Sequence, residues 1–273
     1  MLDVETWPTL RAPVLVVTLT GWVDAGEAGT LAATMLASQL EGARVFGHYA
    51  LADLVDLQQT RPTVELVDGT TRHVEWPAIT FTAGRAGRDV VVATGPEPSL
   101  AWRSFAGDLV DVARRLDVAQ AFTLGGMPAV VSHRRPVSVL ATASAHSVAQ
   151  EVGAMRGDYQ GPTGAQTVVQ FELGRAGIPA VGLWAQVPHY VSGNPSPPAV
   201  RALLERVREV AGLRLDLSDL DEEIDAYTAK VDEGVAERPD VAELVRAIED
   251  QTAQDVDGDA IAAEIERFLR DQG

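Results

Sequence analysis

Two glycines, Gly21 and Gly26, bracket four residues in the stretch LTGWVDAGEAGT, Leu19 to Thr30. G-x-x-x-x-G is the spacing of a phosphate-binding loop, in which backbone amides cradle phosphates, a lysine reaches the outer ones and a Ser or Thr holds magnesium. Glu27 and Ala28 occupy those last two positions here. Asp24 and Glu27 instead form D-x-x-E, a relative of the capping box. In that device Asp24 accepts from amides of the first helical turn and Glu27 reaches back to the Asp24 amide. The two acids could alternatively face an amine or another cationic partner.

Other sources of chemistry are sparse. No G-x-S-x-G elbow, H-E-x-x-H helix or G-x-G-x-x-G turn occurs, which removes the common local signals of serine hydrolases, zinc proteases and dinucleotide enzymes. The absence of cysteine excludes disulfides, thiolate metal sites and cysteine nucleophiles, and fits a reducing, cytoplasmic compartment. Five histidines, His48, His73, His133, His146 and His189, lack metal-ligand spacing. His189 stands out because WAQVPHYVSGNPSPP sets it beside Tyr190, with proline on both sides, in a rigid aromatic loop suited to recognition. DVDGDAIAAEIE offers Asp255, Asp257, Asp259 and Glu266 at calcium-loop spacing, but Ala260 stands where an EF-hand needs glycine, so it reads as a turn before the last helix. No cofactor or metal is expected.

The elements that position these residues follow from hydrophobic periodicity. Strand patterns at 13–20, 43–51, 89–94, 119–124, 137–142 and 178–186 alternate with helical ones at 26–41, 99–116, 144–152, 164–176 and 197–211. That alternation predicts an α/β domain with a mainly parallel sheet. Between 62 and 82, Asp68-Gly69 separates two alternating runs, the signal of an antiparallel hairpin at an insertion or edge. Turns at 21–26, 95–98, 125–128 and 187–195, with Gly161–Gly164, should share the carboxyl rim of the sheet, where open α/β sheets bind ligands. LGGMPA puts Gly125 and Gly126 directly after a strand, where backbone can approach closely. Helix-start signals recur along the rim: Thr163 before Gln166, Ser196 before Pro197, and Ser99.

Beyond Arg214 the strand signal stops. Leu217, Leu220, Ile224, Tyr227 and Val231 recur at a/d spacing for about two heptads, which predicts an amphipathic helix docked on the core or on neighbouring helices. Helices at 240–253 and 258–270 follow, dividing the chain into an α/β domain at 1–214 and a helical extension at 215–273. Residues 216–273 hold 19 Asp and Glu against 5 Lys and Arg, a charge of −14 out of the total −17. The chain carries no basic stripe for nucleic acid and no apolar run long enough for a membrane span. The acidic extension suits basic partners or solubility.

Taken in order, GWVDAGEAG, GPEPSLAWRSF (with Glu97 and Trp102), LGGMPA, YQGPTG (with Thr163 and Gly164) and GIPAVGLWAQVPHYVSGNPSPPA resemble the proteasome assembly chaperone family, second-subunit type, in its actinobacterial members. The match runs over about residues 10–212. The resemblance implies a three-layer α/β/α domain, similar to purine phosphorylases and peptidyl-type hydrolases, with a helical C-terminal extension. It also implies self-association, with a homotrimer first in line, and non-enzymatic binding of proteasome α or β subunits during core assembly. The hydrophobic-Tyr-X ending used by relatives of this class is not matched by FLRDQG. The second reading is a nucleotide- or nucleoside-binding enzyme, ATP-grasp-like or phosphorylase/hydrolase-like, using Glu97, His189 and the GPTG amides on the same rim. Against it, the single lysine, Lys230, lies in the acidic extension.

Overall fold

The computed structural model of the chain describes residues 2–155 and 159–250. β2 (Val14–Thr20) is VLVVTLT, apolar almost without alternation and buried from its first residue to its sixth. Such a strand needs cover on both faces. It lies at the centre of an eight-stranded sheet of order β1-β3-β6-β7-β2-β8-β10-β9. β7 (Asp89–Pro96), β2, β8 (Gln120–Ala129) and β10 (Ala180–Pro188) run parallel. Antiparallel strands finish both margins: β9 (Val139–Ala143) beside β10, and β6 (Ala78–Arg85), β3 (Glu41–Ala50) and β1 (Leu2–Val4) beyond β7.

Helices cover both faces, giving the expected α/β/α layers. Along β2, Val14 and Val16 point into a core shared with α1 (Ala28–Ser38) and α5 (Pro197–Ala211), through residues such as Ala32, Leu36, Leu203 and Val207. Leu15, Val17 and Leu19 point the other way, against α2 (Trp102–Arg115) and α4 (Ala165–Arg175), where Phe105, Leu109, Val169 and Leu173 wait. This is the two-residue strand period feeding two helix stripes. A short α3 (His146–Glu151) follows β9.

The hairpin signalled by Asp68-Gly69 forms as β4 (Thr63–Val67) and β5 (Thr70–Glu75), a separate two-stranded sheet with Asp68 and Gly69 both at positive φ. The sequence from 78 onward continues as β6 of the main sheet. After α5, Leu217, Leu220 and Ile224 pack into the α1/α5 core, as the seam predicted. α6 (Leu220–Ala236) then packs against α5, and a further helix begins at 239 and continues through 250. Val231, Val235, Val241 and Val245 form a small cluster of their own with Tyr190. The proposed calcium-like turn and the helix at 258–270 lie outside the described residues. Among the described residues, no helix is long and apolar enough to cross a membrane.

Candidate functional site

The carboxyl rim is part knot and part cleft. In the knot, the loop after β2 is stitched to its neighbours by backbone: the Gly126 amide donates to Val23 O at 2.9 Å, the Gly26 amide to Ser192 O at 2.8 Å, and the Ser196 amide to Gly26 O at 2.9 Å. The glycines are what let these chains touch. A Cβ on Gly126 would lie 2.1 Å from Ala25 O, and one on Gly125 2.4 Å from Val23 O, distances no side chain survives. Gly26 adopts φ 67°, and a Cβ there would also meet Ser196. Gly125, Gly126 and Gly26 therefore serve close packing, and the space a phosphate would need is filled by protein.

Asp24 is buried under this knot. Its Oδ1 accepts from the amides of Gly29 at 2.7 Å and Thr30 at 3.3 Å, and its Oδ2 accepts the Thr30 hydroxyl. Burial pushes its carboxyl above the ordinary 3.8 despite those hydrogen bonds. The cap on α1 is thus as the sequence predicts, but its second half is not. Glu27 takes a left-handed conformation at φ 49° and donates its own amide to Asp24 O at 2.9 Å, while the Asp24 amide is taken by Gly21 O. The left-handed kink turns the Glu27 side chain to solvent instead of back along the helix.

The other predicted caps are replaced by contacts from distant segments. α4 starts after Gly164, and the group satisfying it is Glu97 from the loop after β7, whose Oε1 accepts the Ala165 amide at 2.6 Å. Thr163 makes no cap. Gln166, its supposed reciprocal partner, is wholly buried with both amide atoms unpaired. Ser99 does not open α2, because its Oγ accepts the Asp56 amide and its own amide goes to Leu54 O. The helix begins only after Ala101, with the half-buried Trp102 donating its indole N–H to Pro98 O. At α5 Ser196 is the N-cap and Pro197 the first helical residue, as predicted, although the Ser196 Oγ is buried and makes no cap bond.

His189 and Tyr190 lie in the short turn after β10 and make different contacts. His189 is exposed, its Nδ1 3.2 Å from Ala129 O. Tyr190 turns toward the C-terminal helices, where sequence reasoning missed a cluster. The hydroxyl of Tyr190 accepts the His133 amide at 2.9 Å and donates to His133 Nδ1 at 2.7 Å, while His133 Nε2 donates to Asp232 Oδ1 at 3.0 Å. Arg134 pairs with both Asp232 and Glu249, and Ser132 Oγ donates to Glu249 at 2.9 Å. The hydrogen bond from His133, with Arg134 beside it, holds the Asp232 carboxyl below its usual value, and burial pushes the Tyr190 phenol up. This is a clasp fastening α6 and its successor to the α/β body. No sequence spacing reveals it, because residues about a hundred positions apart build it.

The cleft is the open part of the rim. About 560 Å³ in volume, it lies over the β8–β10–β9 margin. Its floor is Met127, Leu140 and the buried Trp184, whose indole N–H donates to Thr142 Oγ1 at 3.3 Å, and Thr142 in turn donates to Gln170 Oε1 at 3.1 Å. The polar groups of the floor therefore have partners already. Its lips are Trp22, Met155, Tyr159 and Phe171, with Thr163 and Gly164 at the helix end. Trp22 is 61% exposed, Tyr159 72% and Phe171 61%, so three rings stand in water around one groove. Of the predicted site residues, Asp24, Gly26, Gly125 and Gly126 meet in the knot, Glu97 and Gly164 at the start of α4, and Thr163 and Gly164 at the cleft. Among the described residues, no group of three or more acidic, His or Cys side chains could hold a metal ion.

The sequence matches the PAC2 family over residues 18–235. The chain belongs to that family. A proteasome-assembly chaperone homologue of Mycobacterium tuberculosis is similar at 38% identity and TM-score 0.78, over 85% of this chain and 99% of that one. A PAC2 family protein from Streptomyces avermitilis gives 38% identity and 0.79 over the same shares. An archaeal proteasome activator of Pyrococcus furiosus shares the fold, with TM-score 0.68 at 20% identity over 85% of this chain and 97% of that one. No curated protein sequence matches. The PAC2 match covers both the knot and the cleft, together with α6 up to Val235.

Proposed function

We propose that this PAC2 protein is a non-enzymatic, protein-binding homo-oligomer, a homotrimer, that assists assembly of the proteasome core, and that its cleft is a protein-docking surface. The observation carrying this reading is the cleft itself. Its aromatic lips are exposed in the isolated chain, its polar floor is internally satisfied, and exposed apolar patches of this kind mark protein contacts. The knot supports the same reading against a nucleotide enzyme, since the glycine loop that would cradle phosphate is occupied by backbone of 125–126 and 192–196. The M. tuberculosis relative's description as a proteasome-assembly chaperone homologue points to the partner.

The test is a tagged pull-down from the protein's own cells, analysed by mass spectrometry, comparing the full chain with Phe171→Glu. Proteasome α or β subunits should be enriched by the former and reduced at least tenfold by the latter. Absence of proteasome subunits with the full chain would sink the assembly role. Equal capture by both would remove the cleft from it.

A further inference from the structure

α6 is held near both ends. Leu220 and Ile224 pack into the α1/α5 core, and Asp232 enters the clasp with His133 and Arg134. Between them lies Tyr227, at a seam position where an apolar side chain would suffice. Its hydroxyl is shielded from solvent and has no hydrogen-bond partner among the described residues. The hydroxyl of Ser196, the N-cap of α5, is in the same condition, the residue being 1% exposed. The two are neighbours. Ser196 holds the Tyr227 phenol below where burial alone would push it, yet the pair lacks the distance and angle of a hydrogen bond. A buried tyrosine hydroxyl normally finds a partner, because taking it out of water unbonded is costly.

Both residues line a cavity of about 20 Å³ between α6, the start of α5 and the end of β10. Pro188 and Pro198 give its wall apolar surface, and Ser138 and Gln186 add polar residues to it. Space for a single water begins at about 10–15 Å³, and a buried water makes two to four hydrogen bonds. We infer that this cavity binds one water molecule, which bridges Ser196 Oγ to Tyr227 Oη and so joins the head of α5 to the middle of α6. Water donates and accepts at once, so it can serve both hydroxyls whichever way each points. The volume excludes a phosphate or a metabolite. The bridge accounts for tyrosine in place of phenylalanine on the seam, and it fastens α6 apart from the clasp, in whose hydrogen bonds neither Ser196 nor Tyr227 takes part.

A crystal structure of the full chain, at a resolution that places ordered water, should show one density peak about 2.5–3.0 Å from both hydroxyl oxygens. An unfilled cavity, a peak within reach of only one hydroxyl, or the two hydroxyls bonded directly to each other would overturn the inference. In solution, Tyr227→Phe, Ser196→Ala and their double variant separate a bridged pair from two idle hydroxyls. Neither change removes a hydrogen bond between protein side chains, and each keeps the carbon framework next to the backbone. Idle hydroxyls therefore predict amide exchange across 221–236 that is unchanged or slower, since a buried unbonded group is relieved.

The bridge predicts the opposite. Each single variant should quicken exchange across 221–236 by about threefold or more, while β2 stays protected and shows that the fold is intact. The double variant should exchange no faster than the faster single, because the first loss already releases the water. Water-oxygen relaxation dispersion, which counts waters held longer than those of the surface, should fall by one in Tyr227→Phe. Single variants at the wild-type rate or below, a double whose quickening is the product of the two, or an unchanged count of long-lived waters would each refute the bridge.

Discussion

Asp24 illustrates how a buried carboxylate can be structural. Its oxygens satisfy two amides and a hydroxyl at the start of α1, so Asp24→Ala leaves those donors buried without partners and should lower stability by about 1–2 kcal/mol in urea titrations. Burial raises its pKa above 3.8, so in the window just above that value the unfolded chain has lost its proton while the native chain keeps it. The contribution of Asp24 therefore falls as pH rises through that window. Asp24→Asn, which cannot ionise, should lack this slope, so that its stability relative to wild type improves between about pH 3 and 6. A difference that stays flat would show that Asp24 titrates normally. The cap at Asp24 was legible in the sequence because donor and acceptor lie within six residues. The cap on α4 was not, because Glu97 reaches Ala165 across 68 positions. Short-range capping rules assigned that task to Thr163, whose hydroxyl has no part in it.

Elements were legible where one pattern decides them. The almost unbroken apolar run of β2, the Asp68-Gly69 turn and the seam from Leu217 to Ile224 were all readable, each carrying its period or its turn chemistry locally. The antiparallel margins were less so, since β1 is three residues long and β6 follows directly on a hairpin that looks like its partner. The contact between the β2 and β8 loops needs glycine for a reason invisible in one dimension. Gly126→Ala should cost about 1–3 kcal/mol by forcing Ala25 away, measured by chemical denaturation. The attachment of α6 is another tertiary fact. His133→Ala leaves the Tyr190 hydroxyl and Asp232 without their partner, and should weaken docking by about 1–3 kcal/mol. Hydrogen exchange should then quicken across 225–250 while β2 stays protected. Asp232 behaves oppositely to Asp24: its pKa is lowered in the folded chain, so its contribution is complete above 3.8 and is lost as pH falls through the depressed value. Acidification should therefore loosen α6 before the sheet, and an acid transition in which both open together would contradict the clasp.

At the scale of the molecule, the sheet sets two exposed apolar surfaces apart, the cleft over β10 and β9 and the hairpin between β3 and β6. Trp22, Met155, Tyr159 and Phe171 come from three segments, the loop after β2, the connection from α3 to α4, and α4 itself, and only the fold gathers them. The hairpin could be read from its turn, but nothing in its alternation says that both faces stay in water. In the homotrimer proposed above, association stabilises the native form by mass action, since the unfolded chain does not associate. The melting temperature should then rise with protein concentration, by the equivalent of about 1.8 kcal/mol per protomer for a hundredfold increase once association dominates. Scanning calorimetry over a hundredfold dilution series checks this. A curve that is flat with concentration would contradict the homotrimer.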